Sequence, residues 1–103
     1  MTQTLAPSAE TYDRQRILKQ LQVIPGIGPS MSQDLWDLGY RSVDDLQAED
    51  PERMYRQHCA QVGGYVDRCV LYVFRCAVYY AETEEHDPDL LKWWNWKDRE
   101  LPR

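Results

Sequence analysis

Apolar residues recur at helical spacing in four segments of the chain, separated by polar stretches that contain glycine and proline. In the second segment, for example, Met31, Leu35 and Leu38 fall at i, i+4 and i+7. This spacing places apolar side chains on one face of a helix, where a core can cover them. The pattern predicts an all-α fold without a β-sheet. Helices are expected over residues 12–22, 29–38, 51–60 and 66–82.

The last segment, YVDRCVLYVFRCAVYYAE, holds mostly apolar residues. Its valine, tyrosine and phenylalanine content would suit a strand, but a run of this length without a turn signal favours a buried central helix. Arg75 interrupts the apolar run. Because a buried guanidinium needs acceptors, we expect a carbonyl or a carboxylate from another helix beside it. The residues expected to be largely buried are Leu35, Leu38, Val70, Val73, Phe74 and Ala77.

Prolines and glycines mark the helix boundaries. Residues 23–30 read VIPGIGPS, in which Pro25 and Pro29 exclude the interior of a helix or a strand, and the glycines suit a tight turn. An irregular turn is therefore predicted at residues 24–28. Asp-Pro pairs at residues 50 and 87 predict two further helix starts, the second leading into WWNWK.

These boundaries define one domain, for which 103 residues suffice. Residues 1–11 are polar without apolar periodicity and are expected to form a disordered leader. Residues 12–98 are expected to form the helical domain, with two tandem hairpin-like units and a tryptophan-rich C-terminal cap. Residues 99–103 are expected to form a flexible tail.

The sequence carries no signal for membrane insertion or secretion. No apolar run approaches the roughly 20 residues that span a bilayer, and the N-terminus has neither the basic nor the apolar region of a signal peptide. The three cysteines do not indicate a disulfide framework. We therefore expect a cytoplasmic protein that does not enter a membrane.

Charge is unevenly distributed along the chain, whose formal net charge is −5. Residues 23–50, which include the glycine turn, hold six acidic residues and one basic residue. A nucleic-acid-binding protein usually has a basic face. The charge pattern therefore disfavours nucleic-acid binding at the turn.

Two helices joined by a tight PGIG turn nevertheless resemble the helix-hairpin-helix motif. The matching residues are Leu21, Ile24, Pro25, Gly26, Ile27, Gly28, Leu35, Leu38 and Gly39. The first N–H groups of a helix lack intrahelical partners and carry partial positive charge, and glycine lets a phosphate oxygen approach closely. Such a contact is independent of base sequence. The candidate nucleic-acid-binding residues are Pro25, Gly26, Ile27, Gly28, Ser30 and Arg41.

The resemblance also implies a monovalent cation that bridges the turn carbonyls to phosphate, and no other cofactor is expected. DNA-binding versions commonly place lysine or arginine just after the turn, whereas residues 30–33 here read SMSQ. The alternative is a hairpin that only packs two helices at a sharp angle. DNA binding requires cations to gather around the turn, and the available ones are Arg14, Arg16, Lys19 and Arg41.

The cysteines and histidines do not form a recognisable chemical site. Cys69 and Cys76 lie about 10 Å apart along one helix at about 1.5 Å per residue, too far for one tetrahedral zinc ion. No CxxC pair is present, so we expect no metal site and three unpaired thiols. His58 and His86 are isolated, and no catalytic constellation is visible. An enzyme is not expected.

Three tryptophans, Trp93, Trp94 and Trp96, stand within four residues near the C-terminus. They suit either the stacking of exposed bases or a lid over the core with its indole N–H groups facing water. Successive helical residues point about 100° apart, so at least one of Trp93 and Trp94 should be partly exposed or lie at a partner surface. The three tryptophans are therefore a candidate interaction surface.

The segments IPGIGPSMSQDLWDLGYRSVDDLQAEDPERMYRQHC, VDRCVLYVFRCAVYYAE and DPDLLKWWNWKD together resemble the small bacterial pathogenicity-locus family, also labelled helix-hairpin-helix or mitomycin-resistance-like proteins. The resemblance covers residues 17–98. A more distant similarity is to the C-terminal domain of the competence regulator TfoX. The family implies a fold but no settled activity. The sequence thus predicts a non-catalytic module that binds DNA weakly, with a protein–protein adaptor of unidentified partner as the alternative.

Overall fold

The described part of the chain forms four α-helices, separated by segments that contain proline or glycine. The computed structural model describes the backbone of residues 6–102 and the side chains of residues 13–102. Its helices are α1 (Ala6–Leu21), α2 (Pro29–Asp37), α3 (Pro51–Val62) and α4 (Cys69–Glu82). No strand occurs in this part of the chain, and residues 22–28 form an irregular turn. The predicted all-α fold and the four helices are confirmed.

The helix boundaries differ from the prediction at two N-termini. Helix α1 begins at Ala6, whereas the first helix was predicted from residue 12; residues 1–5 lie outside the described residues. Helix α4 begins at Cys69 rather than at residue 66, because the Asp67 carboxylate accepts a hydrogen bond from the Cys69 N–H at 2.8 Å. This side-chain bond holds the preceding residues in a turn.

The aspartates at the other two predicted helix starts, Asp50 and Asp87, cap the elements that follow them. The Asp50 carboxylate accepts a hydrogen bond from the Glu52 N–H at 3.0 Å and caps α3. Asp87 caps the next element in the same way, through the Asp89 N–H at 3.0 Å. That element is a short 3₁₀ turn rather than one helix reaching WWNWK, and a separate 3₁₀ turn follows it. The 3₁₀ turns are Asp44–Leu46, Pro88–Leu91 and Trp93–Trp96.

Helix α4 is the centre of the core. It packs against α3 and all three 3₁₀ turns, while α1 packs on α2. Leu35, Val73, Phe74 and Ala77 are buried as predicted. The fully buried residues also include Leu21, Ile24, Leu46, Met54, Leu71 and Trp96. Leu38 and Val70, predicted to be largely buried, instead lie partly exposed at the edge of this cluster.

The buried Arg75 finds acceptors of the predicted kinds. Its Nη1 donates to the Trp96 carbonyl at 2.8 Å, and its Nη2 donates to Glu52 Oε1 on α3 at 3.0 Å. The guanidinium therefore joins α3, α4 and the C-terminal segment. Further along, Leu101, which lies in the predicted flexible tail, packs against the core.

None of the helices in the described residues has the length and apolarity needed to cross a membrane.

Candidate nucleic-acid interface

The turn between α1 and α2 is anchored in the core by its isoleucines. Ile24 is 1% exposed and Ile27 is 4% exposed. The Ile27 N–H donates to the Ile24 carbonyl at 3.0 Å. Ile27 therefore has neither a free side chain nor a free N–H group for a ligand, contrary to its prediction as a binding residue. Pro25, which has no N–H, is half-buried.

Gly26 is needed for internal packing. Its φ of +88° is a conformation that side chains rarely adopt. A Cβ atom on Gly26 would lie 3.0 Å from Trp93 Cδ1, which is too close for an ordinary contact. The space left by the missing side chain is thus filled by an indole. Gly26 itself is exposed, so the close approach of phosphate to its backbone stays a prediction.

Gly28 and the first turn of α2 remain open. Gly28 is the N-cap in an extended conformation, and a Cβ atom there would meet nothing within 4 Å. Pro29 occupies the first helical position, and no side chain caps the helix. The described residues provide no hydrogen-bond acceptor for the N–H groups of Ser30 and Met31. Ser30 is exposed. Two N–H groups therefore point from a helix N-terminus without partners.

Ser32 braces this helix start against α1, a role that the sequence analysis did not anticipate. Its side chain is buried and its hydroxyl donates to the Pro29 carbonyl at 2.9 Å. The same hydroxyl accepts a hydrogen bond from Gln22 Nε2 at 3.2 Å. The three-residue spacing between Pro29 and Ser32 was the available signal, since a serine hydroxyl can reach back to a carbonyl one turn earlier.

Three of the four candidate cations, Arg14, Arg16 and Arg41, make their contacts away from the turn. Arg14 and Arg41 instead converge on Trp36, in the last turn of α2, with Cζ atoms 5.7 and 3.5 Å from the ring centroid. Arg16 pairs with Asp13 at 3.3 Å on the surface of α1. Arg41 also donates to the Trp36 carbonyl at 2.8 Å, so it closes the C-terminus of α2 rather than flanking its N-terminus. Arg41 therefore lies away from the turn, and its role in nucleic-acid binding stays a prediction.

The three tryptophans have three different environments. Trp96 is 1% exposed and its indole N–H donates to the Leu90 carbonyl at 2.9 Å, so it belongs to the core and not to a surface. Trp93 is half-buried over Gly26. Trp94 is 57% exposed and stands edge-on to Trp93, with ring centroids 5.6 Å apart. The expectation that one of the adjacent indoles is exposed is confirmed.

Within the described residues, no cluster of His, Cys, Asp and Glu side chains could hold a metal ion. The three cysteines are free thiols, and burial raises the pKa of Cys76 to about 11. Cys76 therefore stays protonated near neutral pH and is a poor nucleophile. On α2, burial raises the pKa of the Asp34 carboxyl, although His58, 4.0 Å away, acts in the opposite direction.

Comparison with known proteins identifies the family. The model of the pathogenicity locus family matches residues 14–101, which is most of the chain and includes the turn, all the residues of α2, α3 and α4, and the tryptophan-bearing segment. Neither the curated proteins nor the solved structures contain a match to this chain. The similarity to TfoX stays a prediction. The chain belongs to the pathogenicity locus family.

Proposed function

We propose that this protein is a non-catalytic module that binds the phosphate backbone of DNA weakly and without sequence preference, at the N-terminus of α2. The carrying observation is the open first turn of this helix, where Gly28 leaves space and the N–H groups of Ser30 and Met31 have no acceptor in the described residues. Partial positive charge at such a helix end favours an anion. The arrangement of α1 and α2, two helices joined by a tight turn, supports the helix-hairpin-helix interpretation.

The contrast with α3 strengthens this proposal. Both helices begin with proline at the first position, but α3 is capped by the Asp50 carboxylate and carries Glu52 in its first turn. Helix α2 has neither a side-chain cap nor an acidic residue in its first turn. Because the start of α2 carries no carboxylate, it can accept a phosphate without the repulsion that Asp50 and Glu52 would cause at the start of α3.

The substitution Ser30→Lys is expected to tighten DNA binding and to steepen its salt dependence. Lysine at this exposed position adds a cation beside the proposed phosphate. One additional phosphate contact should increase the magnitude of the slope of log K against log salt by about 0.9 for duplex DNA. Fluorescence anisotropy with a labelled duplex over a range of salt concentrations measures both quantities.

The matched control is Gln57→Lys, which adds the same charge at an exposed position on α3. A general charge effect would change both variants alike, whereas a local contact changes only Ser30→Lys. Thermal melts confirm that each variant is folded. If neither the wild type nor Ser30→Lys binds DNA at low salt, the proposal is wrong and the hairpin has only a structural role.

The second candidate function is that of a protein–protein adaptor, and exposed apolar residues favour it. Besides Trp94, Val23 in the turn is 59% exposed and Tyr65 after α3 is 87% exposed. Exposed aromatic residues are enriched at protein interfaces. Absence of DNA binding in the preceding titration would make this the leading function.

A further inference from the structure

We infer that Arg14 and Arg41, arranged around Trp36, form a second phosphate contact of the α1–α2 hairpin. This inference rests on the proposed DNA-binding function and extends it to the opposite end of α2. It concerns a site distinct from the open helix N-terminus, because Trp36 lies in the last turn of the helix.

The indole of Trp36 sets the spacing of the two guanidinium groups. Arg41 Cζ lies 3.5 Å from the ring centroid and Arg14 Cζ lies 5.7 Å from it. The two Cζ atoms therefore lie no farther from each other than the sum of these two distances. Like charges held this close raise the local positive potential, since separations near about 10 Å are only partly screened at moderate salt.

Hydrogen bonds hold both arginines in place without using all of their donors. Arg41 Nη1 donates to the carbonyls of Trp36 and Tyr40, at 2.8 and 3.1 Å. Arg14 Nη2 donates to Gln33 Oε1. A guanidinium has five N–H donors, and both arginines are exposed. The remaining donors are free to bind an oxyanion from solvent.

The Asp45 carboxylate accepts a hydrogen bond from the Arg41 backbone N–H at 2.9 Å, but neither arginine side chain forms an ion pair within the described residues. Arg16, Arg53 and Arg75 each pair with a carboxylate, but within the described residues neither Arg14 nor Arg41 does.

The two carboxylates of α2 make other contacts. Asp37 accepts a hydrogen bond from Gln33 at 2.9 Å, and Asp34 lies 4.0 Å from His58 of α3. Two guanidinium groups without an ion-pair partner in the described residues therefore meet at one indole, on a protein of net charge −5.

DNA phosphate is opposite in charge to this pair of arginines. A duplex carries one negative charge per about 1.7 Å of its axis, so more than one phosphate falls within the reach of the two guanidinium groups. Guanidinium groups also bind phosphate oxygens with two parallel hydrogen bonds. The nine residues of α2 separate its two ends by about 13 Å at about 1.5 Å per residue. The proposed second contact therefore extends the first rather than requiring a separate DNA molecule, since a duplex is longer than this separation.

Salt-dependent titration of duplex DNA with the full-length variants Arg14→Gln and Arg41→Gln tests the inference. Each is expected to reduce the magnitude of the slope of log K against log salt by about 0.9. Arg56→Gln is the matched control, since it removes an exposed arginine from α3 and should leave the slope unchanged. Arg14→Gln keeps the carbonyl contacts of Arg41, so it remains informative if Arg41→Gln unfolds the end of α2.

The outcomes separate this inference from the proposed function. If the wild type binds DNA, Ser30→Lys steepens the slope, and both arginine variants behave like Arg56→Gln, the second contact does not exist while the proposed function stands. If both arginine variants flatten the slope and Arg56→Gln does not, the inference is supported. If the wild type binds no DNA at low salt, both are wrong.

Discussion

Replacing Phe74 by alanine is expected to lower the free energy of unfolding by about 3–5 kcal/mol, the usual range for truncation of a buried aromatic side chain. Phe74 is 0% exposed on α4. It also makes an edge-on contact with His58 of α3, with ring centroids 6.0 Å apart and an interplanar angle of 81°. The substitution would leave a cavity where α4 meets α3. Urea denaturation followed by circular dichroism measures the change.

Tyr65→Ala provides the comparison for Phe74→Ala. This side chain is 87% exposed, so its removal should change the free energy of unfolding by no more than about 0.5 kcal/mol. A loss below about 1 kcal/mol for Phe74→Ala would contradict the placement of this residue at the centre of the core.

The second large effect is expected at Arg75. Replacing it by alanine should cost about 1–3 kcal/mol, the range for leaving a buried hydrogen-bond acceptor without its donor. The Trp96 carbonyl would lose its donor, and Glu52 would lose its cationic partner. Because the guanidinium joins α3 and α4 to the C-terminal segment, the loss should appear as a lower urea midpoint for the whole domain.

Glu52→Gln distinguishes the anchoring role of Arg75 from a simple pairwise attraction. The Glu52 side chain is 38% exposed, whereas that of Arg75 is 7% exposed. A glutamine oxygen can still accept from Arg75, and solvent screens the carboxylate, so we expect a cost of only about 1 kcal/mol. Equal costs for Arg75→Ala and Glu52→Gln would show that the carbonyl contacts of Arg75 contribute little.

Local signals were sufficient to predict most of the fold. Proline at the first helical position, the Asp50 cap and the helical spacing of apolar residues act through neighbours in the sequence, and they located α2 and α3 well. The start of α4 was predicted too early because the Asp67 side chain competes for the Cys69 N–H. The polar composition of the N-terminal residues hid a helix that begins at Ala6.

The site was harder to predict because its geometry depends on contacts between distant residues. Gly26 and Trp93 are far apart in sequence, and only the packed structure shows that the indole fills the space beside this glycine. Similarly, Arg41 follows α2 closely, yet its stacking on Trp36 directs it away from the turn. The open helix start at Gly28 was predictable, since glycine, proline and serine offer no carboxylate cap.

The most direct test of the account is a two-dimensional ¹H–¹⁵N NMR titration of the wild-type protein with a short DNA duplex at low salt. The largest backbone amide shifts are expected at Ser30 and Met31, whose N–H groups have no acceptor in the described residues, and at the adjacent N-cap Gly28. The indole N–H of Trp36 should shift in the same titration. Unchanged amide signals of Gly28, Ser30 and Met31, with shifts confined to Trp94 or absent altogether, would contradict the proposed phosphate site.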